Sequence, residues 1–388
     1  MFSYTLPCGG FKTVTTMTNE KITFDPPVYE QRYCYAIQIL EDPRWTKQIK
    51  KVVEFGCAEM RLFNLMRRIE TIEHILQVDI DEELLKNNLS RVNPLISDYI
   101  RQRSGPLRVE VLKGSVADSS EELRGTDVVI GLELIEHVYD DVLAKIPANV
   151  FGFMQPKIVI FSTPNSDFNV IFTRFNPLLE NGFRHLDHKF EWTREEFKSW
   201  CLDIVEKYPN YLVSLTGVGD PPKDFESVGN VSQIAVFVRK DLLDKPLVDP
   251  LPSKTEPVDE FTTPYKSLQV VDFPYYTDTR TVEEKIWAEV EYELHRCMRS
   301  EDNFDIQHQV YKMPMDLLLQ HTQSFGATPD ILEKLLEEND MKVEDGYIIL
   351  EENPYNEEDD LCFNNDTSEV SYEEVPQRED VEENWDLV

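Results

Sequence analysis

Basic residues are scarce. The chain of 388 residues carries 39 Lys and Arg against 73 Asp and Glu, a formal net charge of −34. So acidic a balance argues against a protein that grips nucleic acid by overall charge. Long apolar runs are also missing. No stretch approaches the ~18 residues that suggest a membrane-spanning helix. The opening residues, MFSYTLPCGGFKTVTTMTNEKITF, have no basic flank leading into an apolar core, so no secretory signal is expected. Cysteine is sparse and scattered, at Cys8, Cys34, Cys57, Cys201, Cys297 and Cys362, with no CxxC pair. That pattern counts against a zinc knuckle and a disulfide framework, and fits a reducing cytoplasm. What is present suffices for a core: 41% hydrophobic and 11% aromatic residues exclude wholesale disorder. The length suggests two domains, or one large domain with an appendage.

The charge is uneven. Residues 351–388 hold fifteen acids and one basic residue, Arg378, with few branched aliphatics. Such a segment cannot bury enough apolar area to offset its ordering entropy, so a disordered acidic tail is expected. Residues 241–280 are proline-rich and read as a linker or strap. Residues 281–350 read as a small helical appendage. Its first helix repeats Val282, Ile286, Trp287, Val290 and Leu294, shorter patterns follow at Met315–His321 and Pro329–Glu338, and YIIL at Tyr347 is strand-like.

From about Lys51 to Lys240, strands and helices alternate. KKVVEFGCAE, HILQVDI, LRVEVLKGSV, TDVVIGLELIEHV and KIVIFSTPN are strands separated by helical segments, and YLVSLTGVG with SQIAVFVRK forms a closing hairpin. This predicts an α/β, Rossmann-like fold, whose ligands sit at the carboxyl ends of the strands. The first strand ends in Glu54-Phe55-Gly56-Cys57-Ala58, where glycine lets backbone approach a ligand. Asp79, ending the second, can accept hydrogen bonds from a ribose diol. A short glycine turn without GxGxxG points to S-adenosyl-L-methionine rather than a dinucleotide.

The fourth strand runs into Glu133-Leu-Ile-Glu136-His137. If a helix starts there, Glu133 and Glu136 share a face. Two carboxylates and an imidazole suit Mg²⁺ or Mn²⁺. Some fifty residues later comes Phe183-Arg-His185-Leu-Asp187-His188-Lys-Phe190-Glu-Trp192, in an irregular stretch able to fold over the same sheet edge. His185 and His188 are candidates for a fourth ligand.

PPVYEQRY (26–33), ELIEH (133–137), STPNSDFN (162–169), DHKFEWTREEF (187–197) and TGVGDPP (216–222) together resemble the animal small-RNA 3′-terminal 2′-O-methyltransferases, which modify piRNAs and some siRNAs. The likeness spans roughly residues 22–240, which makes this the methyltransferase domain, preceded by a flexible N-terminus at 1–21. The resemblance implies a metal site of Glu133, Glu136, His137 and His188, with His185 ranked second. It implies cofactor contacts from Gly56, Asp79 and Ser115, with Glu54 standing where the family tends to have aspartate. One departure is Ala58, where that turn tends to carry a second glycine. A left-handed backbone at Ala58 costs about 1 kcal/mol or more.

The same resemblance implies a single-stranded RNA substrate. A cation binding both terminal hydroxyls would lower the pKa of the 2′-OH and position it. His137 or His188 would take the proton. Arg174, Arg184, Lys189 and Arg194, and Arg101, Arg103 and Arg108, are candidates to meet RNA phosphates. The acidic tail suits an enzyme that receives RNA from an Argonaute or PIWI protein. A cytoplasmic monomer, with RNA granules among its locations, is expected. Competing readings are a methyltransferase of small molecules or proteins, and a catalytically silent scaffold.

Overall fold

The computed structural model describes the chain except at Met1, Cys8, Gly9, Phe11, Asn176, Asn181 and the segments 250–264 and 352–388. The acidic tail therefore lies outside the described residues, as does part of the proline-rich run. The described chain falls into two compact units, one reaching Thr277 and the other starting at Asp278.

The first unit opens with a hairpin, β1 (Val14–Met17) and β2 (Ile22–Asp25), and a helix, Val28–Leu40. Its sheet contains β3 (Lys51–Phe55), β4 (His74–Asp79), β5 (Arg108–Lys113), β6 (Val128–Gly131), β7 (Ile158–Pro164), β8 (Tyr211–Val218), β9 (Ser232–Arg239) and β10 (Lys266–Asp272). Their order across the sheet is β10-β5-β4-β3-β6-β7-β9-β8. The pairs among β3 to β7 are parallel, while β9 is antiparallel to β7 and β8, and β10 to β5. Order reverses at β3, which puts the ends of β3 and β6 side by side at the switch point where such sheets take ligands.

Successive residues of a strand face opposite sides of the sheet. Val52, Ile75, Val109, Ile130 and Ile160 join one core with Ala36, Ile39 and Leu40 of the first helix. Val53, Leu76, Val78, Val129 and Phe161 join the other with Phe197, Cys201 and Ile204 of the helix Arg194–Lys207. Both faces are buried, which is why these strands read as unbroken apolar runs rather than alternating ones.

Three expectations need correction. The N-terminal segment, expected to be flexible, is anchored at two of its described residues: Tyr4 is buried, its hydroxyl donates to Asp42 at 2.9 Å, and the Phe2 amide donates to the Val213 carbonyl at 3.1 Å. Strand β8 is the sheet's edge and offers unpaired backbone to that segment. The run 241–280 is not all linker, because β10 extends the sheet beside β5 with a register shift between Ser267 and Gln269. An edge strand holds through backbone hydrogen bonds and needs no apolar alternation, so the prolines before it masked it. The second unit, read as a helical appendage with one strand-like segment at Tyr347, holds more strand than that. The helices Val282–Met298, Met315–Thr322 and Pro329–Glu338 stand as expected, but a four-stranded antiparallel sheet joins them, with Tyr347–Leu350 pairing Val310–Pro314. Ile286, Val290, Leu318, Leu332 and Ile348 form its core.

Candidate active site

The carboxyl ends of β3, β4 and β5 form one edge. Gly56 sits at φ +68°, and a Cβ there would lie 2.9 Å from Leu134 Cδ1, so both conformation and space call for glycine. Asp79 holds the turn together: Oδ2 accepts the Ala58 amide at 3.0 Å and Oδ1 the Asp81 amide at 2.9 Å. Each oxygen keeps a lone pair for a hydroxyl donor. Glu54 and Gln77 face each other in the register of β3 and β4, both buried. Glu54 Oε2 and both polar atoms of the Gln77 amide lack hydrogen-bond partners among the described residues. Burial pushes the Glu54 carboxyl up to about 8. Orphaned polar atoms in a buried slot mark a place for a polar ligand, and an acid among them favours a cationic one, which fits S-adenosyl-L-methionine. Ser115 lies one turn beyond β5, its hydroxyl accepting the Ala117 amide at 3.2 Å. Tyr265, at the start of β10, donates its hydroxyl to the carbonyls of Ser115 and Asp118, and its ring fills the space a Cβ on Gly114 would need.

Ala58 adopts φ +44°. Glycine there avoids the left-handed penalty at the cost of a freer unfolded chain. The Ala58→Gly variant should gain about 0.5–1 kcal/mol of stability, read as a higher urea midpoint with unchanged slope; an unchanged or lower midpoint would contradict the strain.

After β6 the chain does not begin a helix at Glu133, contrary to expectation. Glu133 takes φ +47°, and only Ile135–His137 form a single 3-10 turn. The Glu133 amide is held by Ser162, through its carbonyl at 3.2 Å and its hydroxyl at 2.9 Å, and this anchor turns the chain sharply off the strand. Glu133 Oε1 accepts the hydroxyls of Ser162 at 2.7 Å and Ser232 at 2.8 Å, and Oε2 lies 3.6 Å from the Arg32 guanidinium. Glu136 is wholly buried. Its Oε2 accepts Thr163 Oγ1 at 3.0 Å, and its Oε1 has no partner among the described residues. Burial, then the neighbouring charge of Glu133, lifts the Glu136 carboxyl well above the usual carboxylate range.

The two distant segments meet. The Lys189 amide donates to the Glu136 carbonyl at 2.7 Å, and the His137 ring lies 4.9 Å from that of His188 and 5.9 Å from that of His185. His137 Nδ1 pairs with Asp187 at 3.1 Å and His188 Nδ1 with Glu191 at 2.7 Å. A ring whose Nδ1–H donates to a carboxylate presents Nε2 as an acceptor, for a metal or a proton. Burial, then His188, draws His137 below its ordinary pKa, which keeps it neutral. The Glu191 side chain is enclosed. Burial alone would raise its pKa, but hydrogen bonding from His188, the charge of Arg184 and a 2.7 Å bond from Asn169 outweigh it and bring Glu191 down to about 2.

One nitrogen each from His137, His185 and His188 lies within 4.8 Å of the others, while Glu133 and Glu136 stand outside that grouping. The donor types fit a divalent cation, and the orphaned Glu136 Oε1 is the kind of buried acceptor a cation satisfies.

Several residues with roles here were not singled out from sequence: Asp187 and Glu191, which orient the histidines, Thr163 behind Glu136, and Arg32 beside Glu133. Their signal was membership of the quoted motifs. Several basic residues assigned to RNA phosphates have partners within the chain, Arg103 and Arg184 in its interior and Arg108 and Arg194 at its surface. Arg103 donates to the carbonyls of Arg67, Ile69, Glu70 and Ile72; Arg184 is buried against Glu191; Arg108 pairs with Glu110; and Arg194 pairs with Asp167.

Comparison with known proteins bears on this geometry. Residues 283–352 match the family model of the HEN1 methyltransferase C-terminal domain. A Small RNA 2′-O-methyltransferase of Drosophila melanogaster is 60% identical over 392 residues, covering 100% of this chain and 99% of that protein. The chain belongs to the small RNA 2′-O-methyltransferase family. The Mus musculus relative of that name is 37% identical over 68% of this chain and 65% of its own length. A crystal structure of the small RNA methyltransferase HEN1 is 27% identical with a TM-score of 0.53, over 66% of this chain and 29% of that one. The protein is thus an RNA methyltransferase with a Rossmann-like domain, and its donor is S-adenosyl-L-methionine. Of the readings set out from sequence, the family carries RNA methylation rather than small-molecule or protein methylation, or a silent scaffold.

Proposed function

We propose that this methyltransferase acts on the 2′-OH of the 3′-terminal ribose of single-stranded small RNAs, piRNA or siRNA, with Mg²⁺ or Mn²⁺ held by Glu133, Glu136, His137 and His188. The reading includes RNA presented by an Argonaute or PIWI protein to a cytoplasmic monomer. The observation that carries it is the meeting of the Glu136 and His188 segments, joined by the Lys189 amide, beside an acid whose Oε1 has no partner.

A ribose 2′-OH is a weak nucleophile near neutral pH. A divalent cation bound at this site would supply positive charge that lowers the hydroxyl's pKa. The terminal ribose offers a cis-diol, and an internal one offers a single free oxygen, so a site that grips both oxygens selects ends. The 2′-oxygen forms its bond to the methyl carbon as the carbon–sulfur bond of the donor breaks, and sulfur keeps the electron pair. The proton leaves to a neutral imidazole: Glu191 fixes the His188 ring and Asp187 the His137 ring, which leaves Nε2 as the one acceptor of each, and the ring that takes the proton does so with its Nε2 off the cation while the other stays on it. Glu54, Gly56, Asp79 and Ser115 form the donor's cradle at the ends of β3, β4 and β5.

The test is methyl transfer to RNAs ending in a 2′,3′-diol, a 3′-phosphate or a 2′-methoxy group, each with and without Mn²⁺. Transfer only to the diol, and only with metal, is the expected result. Equal transfer to the 3′-phosphate RNA, or full transfer in EDTA, would overturn the reading.

A further inference from the structure

Tyr139 plays no part in the reading above, yet it stands beside the site. We infer that the Tyr139 ring, steadied by Lys189, is a ledge on which the base of the RNA's 3′-terminal nucleotide stacks. The inference rests on the 3′-terminal reading above and deepens it, from which hydroxyl is methylated to how the last nucleotide is held.

Three observations converge. The first is where the ring is exposed. Tyr139 is 65% exposed, although the preceding Val138 packs against the core. A lone exposed aromatic is ordinary, so its location decides. The other exposed aromatics of the first unit, Tyr99, Tyr275 and Tyr276, belong to the opposite edge of the sheet. Tyr99 sits in the helix Ile96–Ile100, whose Asp98 pairs with Arg67 ahead of β4. Tyr275 bridges Arg103, and the Tyr276 amide donates to the Arg103 carbonyl at 2.8 Å. Arg103 in turn holds carbonyls that precede β4. Tyr139 instead follows β6 and lies two residues beyond His137. Among the described residues of this unit, it is the exposed aromatic at the carboxyl edge.

The second observation is that the ring is held. The Lys189 ammonium lies over it, 5.0 Å from the centroid, and donates to Asp187 Oδ1 at 2.9 Å. Asp187 Oδ2 pairs with His137 Nδ1, and the Lys189 amide donates to the Glu136 carbonyl. The ledge is thus tied to both segments that build the site. A cation over one face orients an aromatic ring and leaves the other face for a base. The base and the 2′-hydroxyl hang from adjacent carbons of one ribose. A base on Tyr139 therefore leaves its own 2′-hydroxyl on the side of His137.

The third is charge. The chain carries a net −34, and Arg103 and Arg184 are spent inside it. Phosphate contacts alone then offer little affinity. Stacking adds affinity that needs no net positive charge and no particular base, because every base has a π-face. Tyr139 is also dispensable to the fold. It precedes the short helix Asp140–Leu143, and its side chain makes no capping hydrogen bond.

The experiment is steady-state methyl transfer to single-stranded RNAs of one length, each ending in a 2′,3′-diol. Their 3′-terminal nucleotide is intact or abasic, and a third RNA is abasic at the second nucleotide instead. Wild type, Tyr139→Ala and Tyr139→Phe are compared, with donor binding as the check on folding. Tyr139→Ala is expected to raise the KM for intact RNA about 10-fold, with the loss falling on KM more than on kcat. Tyr139→Phe, which keeps the ring, stays close to wild type. Removing the terminal base costs wild type the same factor and costs Tyr139→Ala nothing more, so the two losses do not add. Additive losses, an unmoved KM in Tyr139→Ala, or coupling to the second base alone would overturn the ledge. An RNA ending in 3′-phosphate separates the two claims. If wild type needs the diol while the losses add, the ledge falls and the 3′-terminal reading stands. If wild type methylates the 3′-phosphate RNA as readily as the diol, that reading falls and takes the ledge with it.

Discussion

Replacing His188 with alanine is expected to lower methyl transfer by about 10³-fold or more, with S-adenosyl-L-methionine affinity within two-fold of wild type. The separation follows from the layout. His188 comes from the segment after β7, and the cradle proposed for the donor lies on β3, β4 and β5, so removing the imidazole leaves Gly56, Asp79 and Ser115 untouched. It removes both a candidate ligand and a candidate base. Glu191 distinguishes a positioning role from a direct one. Glu191→Gln keeps the shape around His188 but replaces the carboxylate that accepts its Nδ1–H at 2.7 Å. Losing the carboxylate that orients such a ring typically costs about 10–100-fold, and it should move the pH–rate profile, which a merely structural change would not. Near-normal transfer by His188→Ala, or a Glu191→Gln profile superimposable on wild type, would remove the pair from the chemistry.

What the sequence carried depends on how each element is held. VVEF, VVIG and IVIFSTP are buried on both faces, so their order and type stood out. Strand β10 did not, because an edge strand is held mainly by backbone hydrogen bonds to β5 and shows little side-chain pattern. In the second unit the edge strands Phe304–Asp305 and Lys342–Glu344 are two and three residues long and hidden for the same reason, whereas the interior Tyr347–Leu350 was legible as YIIL.

At the site, the residue types were legible but their geometry was not. ELIEH reads as a helix start, yet Glu133 is left-handed because Ser162, on another strand, captures its amide. Asp187 and Glu191 were visible inside DHKFEW, but their partners are set by a loop folding back across the sheet edge. Arg103 and Arg184 show how charge misleads: both look like phosphate ligands in sequence, and both are spent on interior carbonyls or a buried acid. A strongly acidic chain that also spends Arg103 and Arg184 internally has less positive surface for RNA, which is consistent with an enzyme that is handed its substrate rather than capturing it by charge.

Glu54 provides the second large effect, a dependence on pH. Its carboxyl stands at about 8 in the folded protein against an ordinary value near 4.5, because burial penalises the charged form. Between these values the folded state holds a proton that the unfolded chain has released. This contribution to stability is therefore whole below about pH 4.5 and lost as pH rises through 8, by as much as roughly 5 kcal/mol in total. Glu54→Gln keeps the shape without the titration. It should match wild type near pH 5, exceed it at pH 9, and show a flatter dependence of unfolding free energy on pH. The donor reverses the sign at the same group. A ligand carrying an ammonium and a sulfonium favours the ionised carboxylate, so binding should release a proton at neutral pH, and affinity should climb by up to about tenfold per pH unit below 8 before levelling. Calorimetry in two buffers of different ionisation enthalpy reads the proton count directly. In Glu54→Gln the release should vanish and affinity should fall and lose its slope. Donor binding that takes up no proton and gives none off, in wild type across pH 6.5–8.5, would separate Glu54 from the cofactor and leave its burial a matter of fold alone.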